Sequence, residues 1–141
     1  MRTAQCFLDT SILVRFLVGD GGPQAEQAHS FFRAIAVGTL VAETSESALL
    51  ESAHVLRSAY QLAKSEIADA LDGLLQLDQL LMPRKSEFGK AIALWKEHGP
   101  LSLPDALHLT YAATSEHRTI ASFDRAMGNR VEGVVRIEKL P

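Results

Sequence analysis

The sequence has only one cysteine and no excess of basic residues. Cys6 cannot form an intramolecular disulfide, and its position in an apolar stretch indicates a packed, unreactive thiol in a reducing compartment. The formal net charge is -3 at pH 7, so composition gives no sign of the strongly basic surface that is typical of nucleic-acid-binding proteins. Nucleic acid is not excluded as a ligand, because bound metal ions can supply local positive charge.

Long hydrophobic runs and several common site motifs are also absent. The uncharged stretch 34–42 is far too short to span a membrane, and no signal peptide is predicted, so we expect a soluble, cytoplasmic protein. The histidines form no H-E-x-x-H or Cys/His pattern, which argues against a zinc site. The glycine-rich segment 19–23 lacks the ending of a phosphate-binding loop, and no G-x-S-x-G nucleophile motif occurs.

What the sequence does contain is an alternation of short apolar runs with amphipathic segments. The apolar runs predict strands at 2–8, 39–42, 80–82, 119–122 and 134–138. Helical spacing predicts helices at 10–18, 24–37, 64–77, 86–98 and 102–117, and a further helix that is capped by Thr44 or Ser45 and ends near Tyr60. This alternation predicts an α/β fold in which helices cover both faces of a parallel sheet. Because no linker or repeat interrupts it, residues 1–141 are predicted to form one domain.

The apolar faces of the helices predict which aromatic side chains are buried. Tyr60 continues the buried face of the third helix, one turn after Leu56, and Phe31 lies beside Phe32 on the apolar side of the second helix. Trp95 lies in a helical stripe, which favours a place in the core over a role as a base-stacking platform.

Two aspartates directly follow predicted strands. Asp9 ends the first strand, and Asp124 lies just beyond the fourth. Ligands of doubly wound sheets bind outside the carboxyl ends of the strands, where the strand order reverses. If the order is 3-2-1-4-5, Asp9 and Asp124 face each other there. Helix capping is the simpler alternative for both residues, and for Asp105, which could form a capping box with Ser102.

A fourth acid is harder to choose. Glu51 lies at the border of the buried face of the third helix, and Glu43 and Glu46 are rivals that periodicity does not exclude. Several carboxylates in one cleft repel each other unless a hard dication such as Mg²⁺ or Mn²⁺ binds them. Such ions activate water and stabilise charge on phosphate, so the composition of this cluster suits phosphodiester hydrolysis.

Four segments resemble the PIN-domain nucleases, and specifically the VapC-type toxins of bacterial toxin–antitoxin pairs. Segment 7–14 (FLDTSILV) is similar to the first strand of the family and its leading aspartate. Segment 49–57 (LLESAHVLR) resembles the segment that holds the glutamate of the family, which selects Glu51. Segments 104–109 (PDALHL) and 119–124 (TIASFD) resemble those that carry the third and fourth acids.

The resemblance implies a three-layer α/β/α domain with a five-stranded parallel sheet in the order 3-2-1-4-5. It also implies an endoribonuclease that needs Mg²⁺ or Mn²⁺, a homodimer, and an antitoxin partner that blocks the cleft. We expect the following site residues: Asp9, Glu51, Asp105 and Asp124 as metal ligands, with Glu51 alternatively orienting the attacking water; Ser122 and Thr10 as hydrogen-bond partners of Asp9 or a metal-bound water; and Arg15 and Arg125 as phosphate contacts. For the two hydroxyls, local backbone capping is an equal alternative, and for the two arginines a solvated surface position is the simpler one.

Two other classes of protein could share a fold of this kind. A non-catalytic module that binds RNA or protein would keep the fold without turnover, which the complete set of four acids argues against. A phosphatase of the haloacid type would need a second acid after Asp9, where this chain has Thr10-Ser11, and a receiver domain would need an aspartate at the end of its third strand, where it has Met82-Pro83.

Overall fold

A computed structural model describes residues 3–141, and the packing of the Cα trace divides the chain into two compact units. Unit 1 is Met1–Lys85, and unit 2 is Ser86–Pro141. Arg2, at which the predicted first strand begins, lies outside the described residues. Among the described residues, no helix is long and apolar enough to cross a membrane.

The described residues of unit 1 form three short parallel strands and four helices. They are β1 (Cys6–Phe7), α1 (Thr10–Val18), α2 (Pro23–Val37), β2 (Ala42–Glu43), α3 (Glu46–Ser58), α4 (Lys64–Leu75) and β3 (Leu80–Leu81). The strands hydrogen bond in the order β1-β2-β3, with Cys6 paired to Ala42 and Ala42 paired to Leu80. Every predicted helix and strand of this unit is present, with ends shifted by a few residues.

The core of unit 1 comes from the apolar stripes of its helices. Leu13 of α1, Leu49 and Leu56 of α3, and Ile67 and Leu71 of α4 are completely buried. Burial of such side chains stabilises the fold by about 1.5–3 kcal/mol each relative to exposure. The helical periodicity therefore predicted the main packing faces correctly.

Two aromatic side chains do not lie where periodicity placed them. Phe31 is 37% exposed, because the buried face of α2 is centred on Phe32 and Ile35. Tyr60 is 38% exposed, because α3 ends at Ser58 and the chain leaves the helical path before it. The prediction that these two rings are buried is wrong.

Side-chain hydroxyls fix the junction between β2 and α3. Ser45 is the N-cap of α3, since its Oγ accepts a hydrogen bond of 3.1 Å from the N–H of Ala48. Thr44, the alternative cap, is buried, and its Oγ1 instead donates to the carbonyl of Leu8 at 3.0 Å. The residues after β1 and β2 are thus held side by side.

Unit 2 contains most of α5 (Lys85–Glu97), followed by α6 (Leu103–Thr114), β4 (Thr119–Ala121), a single turn of 3-10 helix (Arg125–Met127) and β5 (Val135–Ile137). β4 and β5 pair in parallel, with Thr119 opposite Val135. Phe88 and Ile92 are completely buried, and Trp95 is 5% exposed, so the prediction of a core tryptophan is confirmed.

Arg118 joins the end of α6 to the chain that leads into β5. Its guanidinium donates to the carbonyls of Ala113 and Glu132, both at 2.7 Å, and to that of Gly133 at 3.3 Å. Gly133 has a φ of +80°, in the left-handed region that glycine adopts without strain. These contacts fix the chain around β4 and β5.

The prediction of one five-stranded sheet is wrong. Among residues 3–141 the strands form a three-stranded sheet, β1-β2-β3, and a separate two-stranded sheet, β4-β5. The parallel direction and both partial orders are as predicted, but the predicted ladder between the first and fourth strands is not formed. The alternation of strands and helices predicts parallel strands, whereas which strands pair is set by contacts between distant parts of the chain that no local pattern contains.

Candidate active site

Asp9 occupies the junction between β1 and α1 and is the N-cap of that helix. Its Oδ1 accepts hydrogen bonds from the N–H of Ser11 at 2.8 Å and from the Ser11 hydroxyl at 2.6 Å. These bonds, the hydroxyl first, hold the pKa of Asp9 below its ordinary value, with a smaller contribution from the N–H of Ile12. Asp9 is therefore a carboxylate at neutral pH, and capping, the simpler alternative, is confirmed.

Glu51 is tied to the start of the same helix. Thr10, the first residue of α1, donates its hydroxyl to Oε2 of Glu51 at 2.9 Å, across 41 positions of sequence. The predicted partner of Thr10 was Asp9 or a metal-bound water, and the structure shows Glu51 instead. The contact brings the acid on α3 to the acid that caps α1.

Asp9 and Glu51 share one cleft of about 550 Å³ in unit 1. Glu43 and Glu46 do not line this cleft, so among the three candidate glutamates the structure favours Glu51. The lining residues, all from α1, α2 and α3 or the segments beside them, are Asp9, Thr10, Ser11, Val14, Arg15, Gln24, Glu51, Val55 and Tyr60.

Arg15 brings positive charge to the wall of this cleft. It forms an ion pair of 3.1 Å with Asp20, and both side chains are 40% exposed. An exposed pair of this kind contributes about 0–1 kcal/mol, so a phosphate can replace Asp20 at little cost.

Asp105 and Asp124 line a second cleft, of about 400 Å³, in unit 2. Asp124 caps the 3-10 helix through Oδ1, which accepts from the N–H of Ala126 at 2.9 Å. Its own N–H donates to Oγ of Ser122 at 3.0 Å, so Ser122 makes the local backbone contact that was the alternative to a contact with Asp9. The carbonyl of Ser122 accepts from Arg136 at 2.7 Å. The backbone on which Asp124 stands is therefore fixed.

Asp105 lies in the first turn of α6, with Ser102 as the N-cap. The N–H of Asp105 donates to the Ser102 hydroxyl at 3.2 Å, which is one half of the predicted capping box. The Asp105 carboxylate makes no hydrogen bond with the described residues. Within residues 3–141, Arg125 is an exposed side chain without an ion pair.

A model of the PIN domain family matches residues 6–132. The chain belongs to the PIN domain family. PIN domains have a three-layer α/β/α fold and are generally nucleases that act on RNA or DNA, typically with divalent metal ions. No curated protein and no solved structure matches the chain.

The acids of this PIN domain suit a hard divalent cation in their chemistry. Asp9 is ionised, and within residues 3–141 the hydrogen bonds to Asp9 and Asp124 use only one oxygen of each carboxylate. Oxygen donors of this kind are the ligands that Mg²⁺ and Mn²⁺ prefer. The same part of the chain contains no group of three or more His, Cys, Asp or Glu side chains that could hold a metal ion. The structure thus shows pairs of acids, and a four-carboxylate site stays a prediction.

The clefts also contain polar residues that the sequence analysis did not assign to a site, among them Ser11, His108, Gln24 and Tyr60. Ser11 was identifiable, since Asp-x-Ser is the spacing at which an aspartate accepts a hydrogen bond from two residues on. His108 was identifiable too, because it follows Asp105 by three positions and shares its helix face. Gln24 and Tyr60 reach the cleft of Asp9 through tertiary packing, and no local pattern indicates them.

Proposed function

We propose that this PIN domain is a metal-dependent endoribonuclease. The observation that carries the proposal is the linked pair of acids in unit 1, where ionised Asp9 caps α1 and the next residue, Thr10, holds Glu51. Helix capping alone gives no reason for a second, exposed carboxylate to be held beside the first.

The residues have the following proposed roles. Asp9, Asp105 and Asp124 bind Mg²⁺ or Mn²⁺, and Glu51 binds the ion or orients the attacking water. The bound ion would lower the pKa of a water molecule and stabilise charge on the phosphate that is cleaved. Thr10 keeps the Glu51 carboxylate in place, and Ser122 fixes the backbone of Asp124.

Two arginines are proposed as phosphate contacts. Arg15 lines the cleft of Asp9 and Glu51, and its ion pair with Asp20 is exposed. Arg125 follows Asp124 directly and is exposed. A guanidinium binds phosphate through two parallel N–H donors, so each arginine is suited to position the backbone of an RNA strand.

The cellular role is proposed from the resemblance to VapC-type toxins. We propose that the protein is the cytoplasmic toxin of a toxin–antitoxin pair, that it forms a homodimer, and that an antitoxin protein blocks its cleft. We also propose that residues 1–141 form a single nuclease domain, which the family match supports because it runs from 6 to 132 through the boundary at residue 85.

Cleavage of total RNA tests the enzyme activity. The purified protein is incubated with RNA in Mn²⁺, in Mg²⁺ or in EDTA, and the cleavage ends are mapped by sequencing. We expect cleavage only with metal, and at least a hundredfold loss for Asp9→Asn, Glu51→Gln, Asp105→Asn and Asp124→Asn. Glu43→Gln is the matched control, since Glu43 is an exposed acid outside the cleft. Full activity of the Asp9 variant would refute the metal-ligand role.

A non-catalytic RNA-binding module is the second candidate. The observation that favours it is that no three potential ligands lie together within residues 3–141. Retained RNA affinity without turnover in any metal would support this candidate. Thermal denaturation distinguishes the nuclease from the non-catalytic module without measuring turnover. A metal site in the folded state raises the melting temperature as metal is added.

A further inference from the structure

Tyr60 is an aromatic side chain that projects into the cleft of the acids without belonging to the core. It lies two residues beyond the end of α3 and lines the same cleft as Asp9 and Glu51. Its side chain is 38% exposed, although periodicity predicted it to be buried. Part of its side chain is therefore accessible from the cleft.

The backbone around Tyr60 is fixed. The N–H of Tyr60 donates to the carbonyl of Val55 at 3.4 Å, and the N–H of Leu62 donates to that of Leu56 at 3.1 Å. Between them Gln61 has a φ of +54°, so the chain turns sharply directly after the tyrosine. The phenol hydroxyl makes no hydrogen bond with the described residues. The backbone on which the ring stands is thus fixed, and part of the side chain remains exposed to a ligand.

The other residues of this cleft include partners for the remaining parts of a nucleotide. Arg15 supplies a guanidinium for phosphate, and Gln24 supplies an amide that can donate and accept at a base edge. A volume of about 550 Å³ lies in the range of small-molecule sites, about 300–1,000 Å³.

Further positive charge lies on both sides of Tyr60 along the chain. Arg57 is exposed in the last turn of α3, and Lys64 begins α4. Burial first, and then the positive charge of Arg57, lower the pKa of Lys64. Proteins that bind single strands combine a cationic path for the backbone with aromatic rings for the bases.

We propose that Tyr60 stacks on a nucleobase of a single-stranded substrate whose backbone is bound at Arg15, beside the cleavage site. The inference rests on the proposed nuclease function and adds a positioning residue for the substrate. Stacking is tolerant of base identity, because every base has a π-face. Tyr60 therefore selects unpaired over paired RNA, and it does not select a sequence.

Binding is best measured in a protein that does not cleave. Asp9→Asn provides this background, because asparagine caps a helix about as well as aspartate. Into it we would place Tyr60→Ala, Tyr60→Phe and, as the matched control, Phe31→Ala, which removes another aromatic ring of similar exposure, 37%, outside the cleft. The probe is a fluorescent single-stranded RNA of mixed sequence in Mg²⁺, with a duplex of the same sequence alongside.

Loss of a stacked ring is expected to weaken single-strand binding about 5- to 150-fold. Tyr60→Phe should restore most of the affinity, since the ring and not the hydroxyl makes the contact. Phe31→Ala should bind as the Asp9→Asn parent does. The affinity for duplex should change less than twofold on Tyr60→Ala, because its bases are already stacked. The bases of the RNA are also replaced one at a time by abasic sites. At the position whose base stacks on Tyr60, the abasic RNA should bind the Tyr60→Ala variant as tightly as it binds the Asp9→Asn parent.

The outcomes separate this inference from the proposed function. If the wild-type protein cleaves RNA and Asp9→Asn does not, but Tyr60→Ala binds single strands as tightly as its parent, the stacking role is refuted and the nuclease stands. If Tyr60→Phe binds as weakly as Tyr60→Ala, the phenol hydroxyl is responsible and stacking is again refuted. If no metal supports cleavage but the Tyr60 effect is present, the nuclease fails and the stacking contact stands.

Discussion

The hydrogen bond between Thr10 and Glu51 can be removed without changing the shape of the side chain that donates it. Thr10→Val replaces a hydroxyl by a methyl group, and threonine and valine have similar helix propensities, so the start of α1 is otherwise unchanged. Glu51 then has no donor among the described residues. Thr10→Ser keeps the hydroxyl and serves as the control.

The expected magnitude follows from the geometry of the contact. A hydrogen bond to a charged group contributes about 1.5–3 kcal/mol to stability. The pair at 2.9 Å is exposed, so water competes for both groups and we expect about 1 kcal/mol, near the upper limit for an exposed charged contact. If the contact also holds Glu51 in the reactive position, the same energy lowers kcat/KM about fivefold.

A double-mutant cycle isolates this contact from other effects of the two substitutions. Wild type, Thr10→Val, Glu51→Ala and the double variant are unfolded in urea at pH 7, since alanine removes the acceptor entirely. We expect a coupling of about 0.5–1.5 kcal/mol, with Thr10→Ser close to wild type. Cleavage of a short RNA in Mn²⁺ gives kcat/KM for the Thr10 variants. A coupling below about 0.3 kcal/mol, or equal kcat/KM for the valine and serine variants, would refute the positioning role.

Three further predictions concern other parts of the chain. Hydrogen bonds from Ser11 hold the pKa of Asp9 below its ordinary value of 3.8. They therefore stabilise the folded state fully above about pH 4, and this stabilisation is lost as the pH falls through the pKa of Asp9 in the folded protein. Urea unfolding from pH 7 to pH 3 should show the difference in unfolding free energy between wild type and Ser11→Ala shrinking below about pH 4. Gly133→Ala should destabilise by about 1–2 kcal/mol or more, since φ is +80° and the new Cβ would lie 2.9 Å from a guanidinium nitrogen of Arg118. Gly73→Ala should instead stabilise the fold by about 0.5–1 kcal/mol, because Gly73 lies within α4 and a Cβ there meets nothing within 4 Å. Thermal and urea unfolding measure the stability of both glycine variants. Equal changes in stability for the two variants would contradict the argument.

Local patterns in the sequence predicted the helices, their buried stripes and their caps. Leu49 and Leu56 are buried and Ser45 caps α3, since periodicity and hydroxyl caps act within one or two turns. Tyr60 was misplaced because the stripe continued in the sequence after the helix had ended. The strand grouping was misjudged because the helical connections between successive strands predict parallel pairing, whereas the neighbours of each strand are set by contacts between distant parts of the chain.

The candidate site shows the same limit. Asp9 and Asp124 were identifiable, because each follows a strand, and both prove to be caps. Glu51 could not be chosen over Glu43 and Glu46 by periodicity, and only the family resemblance favoured it. The hydrogen bond that supports this choice joins Thr10 to Glu51, which are 41 positions apart. Local sequence patterns cover only one or two helical turns and do not predict a contact at this separation.

The metal role proposed for the capping aspartates would restrict which residues these positions can accept. Serine, threonine and asparagine all begin a helix nearly as well as aspartate, so a position under selection for capping alone would vary freely among the four. A position that must also offer a negatively charged oxygen to an ion admits only aspartate. Related proteins that carry serine or asparagine in place of Asp9 or Asp124 should therefore fold normally and lack nuclease activity.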